Sequence, residues 1–134
     1  MARPAYSLGG PQIKSLIVSI AGMTLEALVA RTTKIAMPEK AKIVAITLNV
    51  AAKGGTPGTD TLDVLATSTS LLAAVFNLNT IVAGTPVEKV STALSSAADA
   101  VAKDTVISIT TAQSGGSSPT IAAATVQIDY VPVG

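Results

Sequence analysis

The feature that most constrains this chain is a two-residue alternation of aliphatic and polar side chains that recurs along its length with no helical period between the repeats. Ile13 to Ile20 sets Leu16, Val18 and Ile20 on one face, and Lys42 to Val50 alternates Val44, Ile46, Leu48 and Val50 against Ile43, Ala45, Thr47 and Asn49. Successive side chains of a strand point to opposite sides, so each run reads as β-structure. Both faces of 42–50 are at least half apolar, which places that strand centrally in its sheet. Thr61 to Ala66 turns Leu62, Val64 and Ala66 inward, and further strands are expected at 70–78, 87–94, 105–111 and 121–131, the last ending at Pro132.

The segments between these runs carry turn chemistry. Met37-Pro38-Glu39-Lys40 and Lys103-Asp104 read as turns, and a short Thr-Ser turn follows Ala66. The glycine-rich stretches 51–59 and 113–119 read as protruding, flexible loops, and 79–86 as a connection punctuated by Gly84 and Pro86. Ser95 to Lys103 allows at most one or two helical turns, since so short an alanine-containing segment cannot hold a longer helix alone. Leu25 to Ile35 is either a second strand with Leu25, Ala27 and Val29 on one face or a short helix through Glu26 and Ala30. About eight strands separated by turns, with no helical crossovers, predict an all-β fold: a two-sheet antiparallel sandwich of jelly-roll or Greek-key type. Residues 1–12, with two prolines and a Gly-Gly pair, read as an extended N-terminal arm preceding a β-sandwich domain at 13–134.

Composition narrows the chemistry. With 134 residues the chain is one domain by length, large enough to bury a core without covalent staples. It has no cysteine and no histidine. Disulfides, thiolate nucleophiles and zinc–thiolate sites are therefore excluded, and the side chain most used for proton transfer near neutral pH is missing. No Ser-x-x-Lys spacing places a lysine base beside a serine on a helix. Lys53-Gly-Gly-Thr-Pro-Gly-Thr59 is a poor phosphate loop, because no helix follows to aim its backbone N–H groups. Asp60 and Asp63 are too few and too divergent along a strand to hold calcium. No catalytic, cofactor-binding or metal-ligating residue is expected, and the chain reads as a non-enzyme.

Charged residues are 13% of the chain, aromatics 2%, and the mean hydropathy is +0.56. Average soluble domains carry about 25% charge, so a surface this poor in charge suits one that partners cover. Arg3, Lys14, Arg31, Lys34, Lys40, Lys42 and Lys53 outnumber the acids of the first half, whereas Glu88, Asp99, Asp104 and Asp129 outnumber Lys89 and Lys103 in the second. The basic residues form no dense run and almost no rings accompany them, so nucleic acid is not an expected partner. No apolar stretch reaches the roughly 18 residues a membrane helix needs, and membrane is not an expected partner either. Lys14 to Gly22 followed by Leu28-Val-Ala30 is a poor signal peptide, because its apolar run is short and Glu26 precedes the cleavage point.

The order of four segments adds a resemblance. Ala51-Ala-Lys-Gly-Gly-Thr-Pro-Gly-Thr-Asp-Thr-Leu-Asp-Val-Leu65, Thr69-Ser-Leu-Leu-Ala-Ala-Val75, Ala102-Lys-Asp-Thr-Val-Ile-Ser-Ile109 and Ala124-Thr-Val-Gln-Ile-Asp-Tyr-Val-Pro132 together resemble small β-sandwich structural proteins of tailed bacteriophages, nearest the capsid decoration or cement proteins. Lys103-Asp104 departs from the Gly-Asp expected in such modules. The resemblance implies a homo-oligomer, dimer or trimer, made in the host cytoplasm and located on the virion. There it would bind the outer surface of the capsid and bridge major capsid subunits. It has no cofactor. The expected capsid contacts are Arg3, Tyr6 and Leu8 on the arm, with Lys14 at its root. The competing expectation is a tail-fibre or other carbohydrate- or receptor-binding sandwich, which should present an aromatic platform drawn from Tyr6, Phe76 and Tyr130.

Overall fold

The computed structural model describes residues 12–20, 23–24, 31–56, 59–114, 117–121 and 124–133, all in β-strands, turns and two short 3-10 turns. The strands are β1 (Lys14–Ile20), β2 (Met23–Thr24), β3 (Arg31–Ala36), β4 (Ala41–Val50), β5 (Lys53–Thr56), β6 (Thr59–Ala66), β7 (Thr69–Ser70), β8 (Phe76–Asn77), β9 (Val87–Val90), β10 (Val106–Ser114), β11 (Ser117–Ile121) and β12 (Ala124–Pro132). One sheet runs β1-β12-β4-β9. The other runs β3-β10-β6-β7, with β8 also on β6, and a small sheet β2-β11-β5 completes the set. The architecture is the expected all-β, two-sheet antiparallel sandwich.

The registers show how the sheets are related. Val50 faces Ala124 in the first sheet and Lys53 faces Ile121 in the small one, three residues on along each chain. Thr56 faces Ser117 and Thr59 faces Ser114, again three residues on in both. On the other side of the same chain, Ile20 faces Ala124 and Met23 faces Ile121. β12, β11 and β10 are thus each the middle strand between a strand of the first and a strand of the second part of the chain. The sandwich is built from three antiparallel triplets, β1-β12-β4, β2-β11-β5 and β3-β10-β6, each with its last strand in chain order in the middle, and β7, β8 and β9 are added at the margins.

This arrangement corrects the reading of both glycine-rich stretches. Within 51–59, residues Lys53–Thr56 form β5. Within 113–119, the end of β10 and the start of β11 pair in the ladder, while 57–58 and 115–116 lie outside the described residues. Glycine disfavours a strand only weakly, and a ladder offered by the neighbouring chain outweighs that local preference. The run 70–78 is also not one strand: β7 pairs Leu65 with Ser70, β8 pairs Leu62 with Phe76, and the residues between leave the sheet to bury Leu71 and Leu72. The departure is held by Ser70, whose hydroxyl donates to Asp63 Oδ1 at 2.5 Å and accepts from the Leu72 N–H at 3.1 Å. The strand expected at 87–94 stops at Val90, where Ser91 takes φ 51° and opens a 3-10 turn over Ser91–Ala93. The 121–131 strand divides into β11, ending at Ile121, and β12, beginning at Ala124. Of 25–35, only Arg31–Ala36 falls on described residues, as β3.

β4 is central, as expected, but its inward face is not a single alternating set. Ile46, Leu48 and Val50 point into the core together with Ala41 and Ile43, because the β12 register shifts between Asp129 and Tyr130 and an extra residue is taken up near Val44. A bulge of this kind inverts the face of everything beyond it. The core joins Val18, Ile20, Val126, Ile128 and Tyr130 from the first sheet to Leu62, Val64, Ile107 and Ile109 from the second, and Leu71, Phe76, Leu78 and Ile81 fill the side between β6 and β9.

The β6–β7 hairpin contains a strained position. Ala66 faces Thr69, and Thr67 between them has φ 57°. A β-branched residue in the left-handed region costs about 1–2 kcal/mol, whereas Asn tolerates it. Thr67 is exposed, and its backbone N–H donates to Val106 O at 2.8 Å, a bond any residue keeps. Thr67→Asn is expected to raise stability by about 0.5–1 kcal/mol, read as a higher urea midpoint with an unchanged slope.

Candidate interaction surfaces

Among the described residues β1 forms one margin of the first sheet, paired to β12 from Lys14↔Tyr130 to Ile20↔Ala124 without a shift, while the expected arm at 1–12 lies outside the described residues but for Gln12. The local sequence explains its two faces. Leu16, Val18 and Ile20 turn to the core, while Ser15, Ile17 and Ser19 turn outward and Ile13 precedes them on the same face. Ile13 is 65% exposed and Ile17 61%, high for isoleucines in or beside a strand. Next to them the outer face is polar and organised: Ser15 Oγ donates to Asp129 Oδ1 at 2.6 Å, and Gln127 Nε2 donates to the same oxygen at 2.9 Å.

Lys14, one of the four expected contact residues, is placed at the start of β1. Its ammonium donates to Glu39 Oε2 at 2.8 Å, and both side chains are exposed. The hydrogen bond to Glu39, and then its charge, hold the Lys14 pKa above the ordinary lysine value. The lysine therefore presents itself as half of a surface ion pair rather than as a free cation. Arg3, Tyr6 and Leu8 lie outside the described residues, so the four residues are not seen together.

A second surface lies at the opposite margin of the first sheet. β9 pairs with β4 only from Ala45 to Leu48, and Ala41 forms a bridge with Val101, so residues 42–44 have no strand beside them on that side among the described residues. Here lies a cleft of about 470 Å³, whose lining includes Lys42, Ile43, Val44, Leu94, Ser95 and Asp99. Sequence reasoning missed it, because the cleft depends on where β9 stops, which the left-handed Ser91 sets.

The aromatic residues take other places. Phe76 is 1% exposed and Tyr130 4%, both within the core. Lys89 lies over the Phe76 ring at 5.0 Å and donates to Ala74 O at 2.7 Å. The paired acids of 60–63 separate as their spacing requires. Asp60 points inward and is buried, with Oδ1 lacking a hydrogen-bond partner, while Asp63 is engaged by Ser70 and the Val64 N–H. Lys53, the lysine of the glycine-rich stretch, donates to Leu78 O at 2.9 Å. Among the described residues no group of three or more acidic side chains is placed to hold a metal ion, and no helix is long and apolar enough to cross a membrane.

No family model and no curated protein matches the sequence. Among solved structures, one titled as the crystal structure of FLHE is similar over 89% of this chain and 97% of its own, with a TM-score of 0.56 at 12% identity. Dimeric latent PorU from Porphyromonas gingivalis is similar over 92% of this chain but only 13% of its own, with a TM-score of 0.41 at 11% identity. The likeness to FLHE is a likeness of fold: at that identity the shared property is the packing of two antiparallel sheets, which hosts unrelated functions.

Proposed function

We propose that this chain is a non-enzymatic structural protein that works by docking, and that its setting is the outer surface of a tailed-phage capsid, where it bridges major capsid subunits. The observation that supports the docking role is the exposure of two isoleucines on the outer side of β1, Ile17 within the strand and Ile13 just before it. A charge-poor chain with exposed apolar groups beside the segment expected to form an arm suits burial against a partner, and many weak contacts on a lattice reinforce one another through effective concentration. The phage setting rests on the sequence resemblance. The rival carbohydrate-binding reading is disfavoured because Phe76 and Tyr130, two of the three rings in the chain, are committed to the core.

The test is co-sedimentation with expanded capsid shells that lack this protein. Saturable binding is expected, with a fixed ratio to major capsid protein, and removal of residues 1–12 is expected to abolish it while leaving thermal unfolding unchanged. Binding that survives the truncation would remove the arm from the contact. A full-length chain that never co-sediments would remove the capsid.

A further inference from the structure

We propose that β1 is a homodimer interface: two copies pair their β1 strands antiparallel about a two-fold axis through Ile17, joining the two β1-β12-β4-β9 sheets into one. The inference concerns self-association and stands whether or not the partner surface is a capsid.

The sheet margins are not alike. Edge strands of soluble proteins are normally guarded by charge, proline, a bulge or shortness. β9 spans four residues and carries Glu88 and Lys89. β7 and β8 span two residues each, and β3 carries Arg31 and Lys34. β1 has seven residues, no proline, no register shift against β12 and no charge after Lys14. Among the described residues β1 is the longest of these margins, has no strand on its outer side and carries no charge from Ser15 to Ile20.

The strand is also self-complementary in one direction. Residue 17 is the midpoint of Lys14–Ile20, so antiparallel pairing about it matches all seven residues, sets Ile17 against Ile17 and Ser15 against Ser19, and puts the two Lys14 ammonium groups at opposite ends. Parallel pairing would bring the lysines side by side, which is unfavourable for like charges directly opposite. The pairing would cover the exposed Ile17 with its own copy, and cross-strand β-branched pairs are among the favourable ones. A single seven-residue strand pair buries less than the roughly 1,200 Å² of a standard stable interface. The dimer is therefore expected to be concentration-dependent.

The chain has no cysteine, so a single introduced one reports on the geometry without interference. With Ile17 on the axis, Ile17→Cys brings two thiols directly opposite, within the range a disulfide spans, whereas two Ser19→Cys residues are offset by four residues, roughly 14 Å. Under mild oxidation of the folded protein, Ile17→Cys is expected to convert to a covalent dimer and Ser19→Cys to remain monomeric. In sedimentation equilibrium the unmodified chain is expected to show a monomer–dimer exchange that Ile17→Lys removes and Val82→Lys, at an equally exposed site elsewhere, leaves intact. Circular dichroism of each variant confirms that the sandwich is retained. A chain that stays monomeric at all concentrations overturns the proposal. So does equal cross-linking of the two cysteine variants, cross-linking of Ser19→Cys alone, or self-association of Ile17→Lys at the unmodified strength.

Discussion

Replacing Val126 with proline is expected to lower the free energy of unfolding by about 3 kcal/mol or more. Val126 lies in β12, fully buried, facing Val18 of β1 on one side and Leu48 of β4 on the other. Proline at this position removes a ladder donor in the middle of a strand flanked on both sides, where its ring also collides with the pleat. The backbone loss alone is about 3 kcal/mol or more, and the poorer filling of the Val126 site adds to it. Against a net stability of 5–15 kcal/mol for a typical domain, that is enough to unfold a marginal one. The measurement is urea unfolding followed by circular dichroism, with Val126→Ala as the packing control. If the proline variant unfolds at nearly the parental midpoint, β12 is not the middle strand between β1 and β4.

Phe76→Ala should cost about 3–5 kcal/mol, the range for deleting a fully buried aromatic side chain. Phe76 is the only phenylalanine of the chain and lies between the β6 margin and the Leu71–Ile81 side of the core. Its ring also supports the Lys89 ammonium, which closes over it while donating to Ala74 O, so truncation loosens the link between β8 and β9 as well as opening a cavity. Phe76→Leu keeps most of the volume and is expected to cost about half as much. Chemical denaturation of the three proteins checks both values. A Phe76→Ala cost below about 1 kcal/mol would place this ring outside the core.

The candidate surfaces were unequally legible. The outward placement of Ile17 and the inward placement of Leu16, Val18 and Ile20 follow from alternation alone, since the side of a strand that meets the core is set by its apolar face. That β1 is a margin does not follow, because alternation is the same in an edge strand and in a strand paired on both sides. The ion pair of Lys14 with Glu39 was equally hidden. It joins residues 25 positions apart that meet only because β1 and the turn after β3 lie at the same end of the sandwich.

By itself the sequence determined the class of the fold, the positions of most strands, the turns at 37–40 and 103–104, and the core face of β1 and β6. These are local properties, fixed by side-chain period and by residues whose backbone preferences are strong. Only the tertiary structure decided that residues 53–56, 113–114 and 117–119 of the glycine stretches lie in strands, that 70–78 divides, and that the face of β4 inverts near Val44. In each case the backbone hydrogen bonds offered by a strand distant in the chain outweigh a local preference worth about 1 kcal/mol or less. The order of the strands has the same cause. Pairing 106–132 with both 14–36 and 41–66 is a choice of partners, and strand pattern specifies what a strand buries without specifying which strand lies beside it.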